Sequence, residues 1–137
     1  MSAQNYSKPM PQMSGTTKAF YDFCQQGELR FQRCSDCGNW RHVPRPVCPE
    51  CGSWQWAWQK SSGRGKVFTW TVVERPMHPQ FADNLPYAPV VIELEEGVRM
   101  VSWLVDCKPA DIRRHMAVTV VFDAVSAELT LPKFKPA

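Results

Sequence analysis

The sequence predicts a mainly β protein in three parts: a short N-terminal helix, a four-cysteine metal ribbon and a five-stranded barrel. Three observations carry this. Two Cys-x-x-Cys-Gly units, Cys34-Ser35-Asp36-Cys37-Gly38 and Cys48-Pro49-Glu50-Cys51-Gly52, are separated by ten residues between Cys37 and Cys48. From Lys66 onward, runs rich in β-branched and aromatic residues alternate with turn signals. Twelve prolines against seven glycines, with six tryptophans, favour short extended segments over long helices.

Residues 1–15 contain Pro9, Pro11 and Gly15 without a periodic pattern and are expected to form a flexible tail. A helix is expected over 16–28, with Thr16 or Thr17 as N-cap and Gly27 as its stop. Phe20, Phe23 and Cys24 fall on one side of it. That apolar stripe packs against the protein's own body or, through Phe20 and Phe23, meets a partner.

The ribbon is expected over 29–62. Each Cys-x-x-Cys-Gly unit bends into a knuckle that aims two thiolates at one ion, and the glycine supplies a positive φ just after the second ligand. Cys34, Cys37, Cys48 and Cys51 together complete a tetrahedral site with no position open to substrate, so one structural zinc ion is expected. Iron suits the same four thiolates, which leaves a redox carrier as an alternative that a visible spectrum decides. Cys24 and Cys107 stand apart, with no neighbouring histidine or basic cluster to activate them, and are expected to be structural thiols.

The barrel is expected over 63–137, with strands at Val67–Val73, Val90–Glu95, Val98–Val105, Ala117–Phe122 and Glu128–Phe134. A tight turn at Glu96-Gly97 joins the second and third, and Lys108–Ile112 suits a single helical turn. Five strands in this span point to a small, partly open barrel, for which the OB-fold is the leading architecture. Ser62-Gly63-Arg64-Gly65-Lys66 lacks phosphate-loop spacing and is expected to be a hinge between ribbon and barrel. His78–Pro89 is the longest connection in this half and carries Phe81 and Tyr87.

The net charge of +3 is unevenly spread. Arg30, Arg33, Arg41, Arg45, Lys60, Arg64 and Lys66 against Asp36 and Glu50 give +5 over residues 29–66, whereas residues 67–137 sum to −2. A basic patch of this kind favours anionic partners such as phosphates or nucleic acid. The chain shows no apolar run of membrane-spanning length and no signal-peptide core, so a cytoplasmic, non-membrane protein is expected. No Ser/His/Asp constellation, paired-carboxylate motif or phosphate-cradling loop is present, and a chain of this length leaves little room for catalytic machinery beside ribbon and barrel.

The order of these features resembles a known family. An aromatic helix runs into Gly27-Glu28-Leu29-Arg30-Phe31-Gln32-Arg33-Cys34, and both knuckles and a tryptophan-containing strand follow. Then come Ser62-Gly63-Arg64-Gly65-Lys66-Val67-Phe68-Thr69-Trp70-Thr71-Val72-Val73, Pro86-Tyr87, Val91-Ile92-Glu93-Leu94-Glu95-Glu96-Gly97 and Leu131-Pro132-Lys133-Phe134-Lys135-Pro136. Over roughly residues 17–136 this is similar to the DUF35 family, acyl-CoA-associated OB-fold proteins with an N-terminal rubredoxin-like zinc ribbon. The resemblance implies a non-catalytic accessory subunit of a CoA-thioester enzyme complex. The partner would be a thiolase-like acyltransferase, thiolase or aldolase, or a MaoC-like hydratase, in a hetero-oligomer that helps to bind the acyl-CoA intermediate. On that reading Arg64, Lys66 and Arg75 would meet CoA phosphates, and Trp70 and Phe81 would line the ligand channel. The alternative is a single-stranded nucleic-acid-binding module, against which stands the net negative barrel.

Overall fold

The computed structural model describes residues 6–137. Helix α1 spans Gly15–Gln25 against the expected 16–28, and Ser14, not a threonine, is its N-cap. The Lys18 N–H donates to the Ser14 carbonyl oxygen at 3.2 Å, so the first turn closes on Ser14 through backbone alone. The helix ends as predicted at Gly27, where the N–H of Glu28 returns to the Phe23 carbonyl. The tail expected over residues 1–15 lies partly outside the described residues. From Tyr6 on, the chain rests on the barrel: Ser7 Oγ donates to Gln80 Oε1 at 2.7 Å and Lys8 Nζ stands 5.5 Å from the centre of the Phe81 ring.

The ribbon is a three-stranded antiparallel sheet in the order β2-β1-β3, with β1 at Arg30–Cys34, β2 at Trp40–Arg41 and β3 at Trp56–Lys60. Cys34 is registered against Trp56, and Gln32 lies between Arg41 and Trp58. The barrel sheet runs β6-β5-β4-β7-β8, all antiparallel, built from β4 (Arg64–Trp70), β5 (Pro89–Leu94), β6 (Arg99–Trp103), β7 (Ala117–Ala124) and β8 (Thr130–Pro136). All five predicted strands are present, with ends that differ from the expected ones by up to three residues; β7 starts at Ala117 as expected and runs two residues further. The edges meet where the Val105 N–H donates to the Phe134 carbonyl at 2.7 Å and Ser102 Oγ donates to the Pro132 carbonyl at 2.7 Å. A bulge at Phe68 breaks the β4–β5 register and adds the local twist that a small closed sheet needs.

The predicted hinge is not one. Arg64, Gly65 and Lys66 belong to β4, and a side chain at Gly65 would come within 2.5 Å of the Glu93 carbonyl oxygen. Gly63 is equally hemmed in by Val120, and Ser61 is bonded to Leu29 through its N–H and to Glu96 through its hydroxyl. The expected 62/63 boundary therefore falls inside packed structure. One hydrophobic core runs through all three parts: Phe20 and Cys24 from the helix, Leu29 and Phe31 from the ribbon, and Val67, Val90, Ile92, Met100, Ile112, Val118 and Phe134 from the barrel.

Phe20 accordingly lies in that core, 3% exposed, with His42 and Phe31 against its ring at 5.0 and 6.3 Å. It has no surface to offer a partner. Phe23 is half-buried, edge-on to Trp58 at 5.4 Å and capped by the Arg30 guanidinium at 5.1 Å. The apolar stripe of α1 is spent on the protein's own body. No helix among the described residues is long and apolar enough to cross a membrane.

Candidate metal centre and ligand cavity

The two knuckles repeat one backbone pattern. The Gly38 N–H bonds the Cys34 carbonyl at 3.0 Å and the Gly52 N–H bonds the Cys48 carbonyl at 2.9 Å. The Cys34 and Cys48 N–H groups reach Asn39 and Ser53 carbonyls, each at 2.9 Å. Both glycines sit at φ +75°, and Gly52 has open space where a side chain would start, so backbone conformation and not crowding selects glycine there.

This repetition brings the four sulfurs of Cys34, Cys37, Cys48 and Cys51 within 4.8 Å of one another. Cys34 Sγ to Cys51 Sγ and Cys37 Sγ to Cys48 Sγ are each 3.6 Å. A tetrahedron of Zn–S bonds of about 2.3 Å has edges of about 3.8 Å, so the four thiols fit zinc. The backbone N–H of Cys37 holds the Cys34 thiol down to about 6. At Cys51 the Ser53 N–H favours the thiolate, but the Cys34 thiol, burial and the Cys37 and Cys48 thiols together oppose it, and the group is pushed up to about 12. A bound divalent cation requires all four groups as thiolates, so its entry would displace their protons. All four positions are protein sulfur, so the ion would be structural.

Of the other two cysteines, Cys24 is buried, as the sequence predicts, whereas Cys107 is only half-buried. Burial pushes the Cys24 thiol up to about 12, and burial with Asp111 nearby raises that of Cys107.

The five residues proposed for a CoA channel do not converge. Arg64 and Lys66 line a cavity of about 700 Å³, but each faces a carboxylate there. Arg64 holds Glu95 through two bonds of 3.0 and 3.1 Å, and Lys66 Nζ is 3.8 Å from Glu93. Arg75 is exposed on the loop after β4, without an ion pair among the described residues. Trp70 packs against the core cluster. Only Phe81 lines a second cavity, of about 390 Å³, between the N-terminal segment, α1, β6 and β8.

This second cavity has the composition of a ligand site: an apolar floor with a few polar groups at its rim. Met100, Val101, Leu131 and Pro132 contribute to the floor. Phe81 stands 5.8 Å from Tyr87 and 6.0 Å from Trp103, whose own rings are 4.5 Å apart. Two ammonium groups flank these rings, Lys8 over Phe81 at 5.5 Å and Lys133 over Trp103 at 5.1 Å; Lys133 also holds Asp123 at 2.6 Å. The base of the loop carrying Phe81 is closed by paired bonds between Val73 and Tyr87, and its tip is a short 3₁₀ helix, Pro79–Asn84. Sequence reading missed Lys8, Trp103 and Lys133 because 30 to 125 residues separate them, and only the curl of the sheet brings β6 beside β8.

Comparison with known proteins follows the same division. Residues 22–56 match the domain described as ChsH2, rubredoxin-like zinc ribbon domain, and residues 58–123 match ChsH2, C-terminal OB-fold domain. A probable enoyl-CoA hydratase alpha subunit of Thermomonospora curvata is 37% identical over 130 residues; the match covers 95% of this chain but 40% of the relative. A solved chain from a structure described as Ltp2-ChsH2(DUF35) aldolase superposes with a TM-score of 0.81 at 36% identity, covering 94% of this chain and 98% of that one. A DUF35 domain-containing scaffold protein of Methanothermobacter thermautotrophicus is 34% identical over 117 residues, which are 85% of this chain and 87% of the relative. With both domains matched in order and a relative of similar extent aligned along most of its length, the chain belongs to the DUF35 family.

Proposed function

We propose that this protein is a non-catalytic accessory subunit of a CoA-thioester enzyme complex. Its partner is a thiolase-like enzyme or a MaoC-like hydratase, which it holds in the assembled state while contributing to the binding of the acyl-CoA intermediate. The observation that carries this reading is the fit, along nearly the whole of its length, to a chain of a DUF35-containing aldolase. Relatives named as hydratase alpha subunit and as scaffold protein support the same role. The fully protein-ligated metal site supports it too, because such a site stabilises a fold and offers no position for substrate.

Where acyl-CoA touches this chain, charge favours the 390 Å³ cavity over the larger one. The carboxylates of Glu93 and Glu95 offset Arg64 and Lys66, so phosphate would have to displace existing ion pairs there. The smaller cavity joins aromatic walls to Lys8, which has no carboxylate partner among the described residues, and to Lys133, which already holds Asp123. Co-expression with a thiolase-like or hydratase partner, followed by affinity capture and assay, tests the main proposal. A stable complex is expected, with partner activity lost when this chain is omitted. A partner that is fully active and soluble alone overturns it. Acetyl-CoA binding that survives Trp103→Ala would remove the smaller cavity without touching the subunit role.

A further inference from the structure

We infer that Arg33 and Arg41 are the counter-charges of the metal–thiolate centre, and thus positioning residues for zinc instead of contacts for an external anion. Ion pairing separates the cations of the ribbon and its junction into two sets. Arg30 and Lys60 reach Glu28 at 2.7 and 3.9 Å, Arg64 reaches Glu95 at 3.0 Å and Lys66 reaches Glu93 at 3.8 Å. Arg33, Arg41 and Arg45 have no carboxylate partner among the described residues. Arg45 is exposed, and water solvates it.

Arg41 has no such relief. It is 5% exposed, and Gln32, fully buried, accepts from its Nε at 3.0 Å. Arg41 Nη2 donates to the Arg45 carbonyl at 2.8 Å, and the Arg45 N–H donates to Gln32 Oε1 at 2.7 Å. Arg41 Nη1 and Gln32 Nε2 remain without an acceptor. A buried guanidinium with neither an anion nor a full set of acceptors is strongly unfavourable unless negative charge compensates it nearby.

Four thiolates around one divalent zinc carry a formal charge of about −2, an anion held inside the ribbon itself. Gln32 lies two residues before Cys34 on the same face of β1. Trp56, registered against Cys34, has the Arg41 guanidinium 5.9 Å from its ring centre. Arg33, on the opposite face of β1, is tied to the first knuckle: its Nε donates to the Gly38 carbonyl at 3.1 Å. Its Nη2 stands 3.6 Å from where a Gly38 side chain would begin, immediately after Cys37. Positive charge at these two places stabilises the thiolates, and two of the ribbon's three cations without a carboxylate partner are directed at its own metal site.

Competition for zinc between the full-length chain and a chromophoric chelator at fixed pH tests this. Arg33→Met and Arg41→Met are each expected to weaken zinc binding about ten- to hundredfold. Arg64→Met removes an equal charge that is already paired with Glu95, and is expected to leave affinity unchanged. Arg33→Lys keeps the charge but loses the Nε bond to Gly38, and is expected to recover most of the affinity. An Arg33→Met protein within about twofold of the parent overturns the inference. So does an Arg33→Lys protein as weak as Arg33→Met, which would mark Arg33 as a loop clamp only. Should Arg41→Met fail to fold, Cys51→His settles the matter. It makes the centre less negative by one charge, so the penalty of Arg33→Met must shrink in that background, and an undiminished penalty overturns the inference.

Discussion

The ribbon and the barrel bury opposite kinds of chemistry. The barrel interior is almost wholly apolar, from Val67 and Val90 through Ile92, Leu94 and Val118 to Phe134, with Thr130 as its buried polar residue among those described. The ribbon buries Gln32, Arg41, Ser61, Cys34 and Cys48 beside only Leu29 and Phe31. Burial of apolar surface at roughly 25 cal/mol per Å² can hold the barrel together. In the ribbon the same term is small and is opposed by desolvation of a guanidinium and an amide. One protein therefore contains a part held by hydrophobic burial and a part that depends on four sulfur ligands.

The sharpest way to break this comparison is to remove the metal. A strong chelator, or Cys34→Ser or Cys48→Ser, is expected to abolish amide-exchange protection across Cys34–Trp56 while β4 to β8 keep theirs. Equal protection in the ribbon after chelation would show that its hydrogen bonds suffice without the metal. Truncation of the barrel core comes next: Phe134→Ala should cost about 3–5 kcal/mol in urea unfolding, from lost burial plus an unfilled cavity. A loss of under about 1 kcal/mol would mean that the barrel relaxes around the gap.

His42 sharpens the boundary between the two parts. Its ring lies against Phe20 and Phe31, and burial pushes its imidazole down to about 4. The folded state keeps it neutral while the unfolded state takes up a proton near pH 6.5, so its contribution is intact above that value and lost as pH falls toward 4. Across that window it amounts to up to about 3 kcal/mol. Urea midpoints measured at pH 6.5 and 5 for the parent and for His42→Phe check this; the variant should show the shallower slope. The smallest effect belongs to the exposed Arg64–Glu95 pair at the junction, where Glu95→Gln should leave the unfolding midpoint unchanged within error, because water screens both groups.

Much of this architecture was legible in the residues. The thiolate spacing is local, since each knuckle is set by its own five residues, and the β-branched runs of the barrel hold their period whatever they pack against. What escaped was decided by distant neighbours. The segment Ser62 to Lys66 has the composition of a hinge, yet Gly65 is there because the Glu93 carbonyl passes too close for any side chain. Phe20 has the helical spacing of a docking stripe, and only the placement of Phe31 and His42 shows that its surface is already used. Arg64 and Lys66 carry charge suited to phosphate until β5 and the turn after it set Glu93 and Glu95 beside them. Charges in sequence show sign; whether they are free depends on which strand lies alongside.

The single core that joins helix, ribbon and barrel has a thermodynamic consequence for assembly. Two modules on a flexible tether lose relative rotational freedom when a third body grips both, and that loss is subtracted from the affinity. Here α1 bridges the two parts, with Phe20 against Phe31 and His42 of the ribbon while the helix packs along β7 and β8, so the orientation is fixed before any partner arrives. A surface that spans both parts is presented preorganised, and the entropy of aligning them is charged to the chain's own stability.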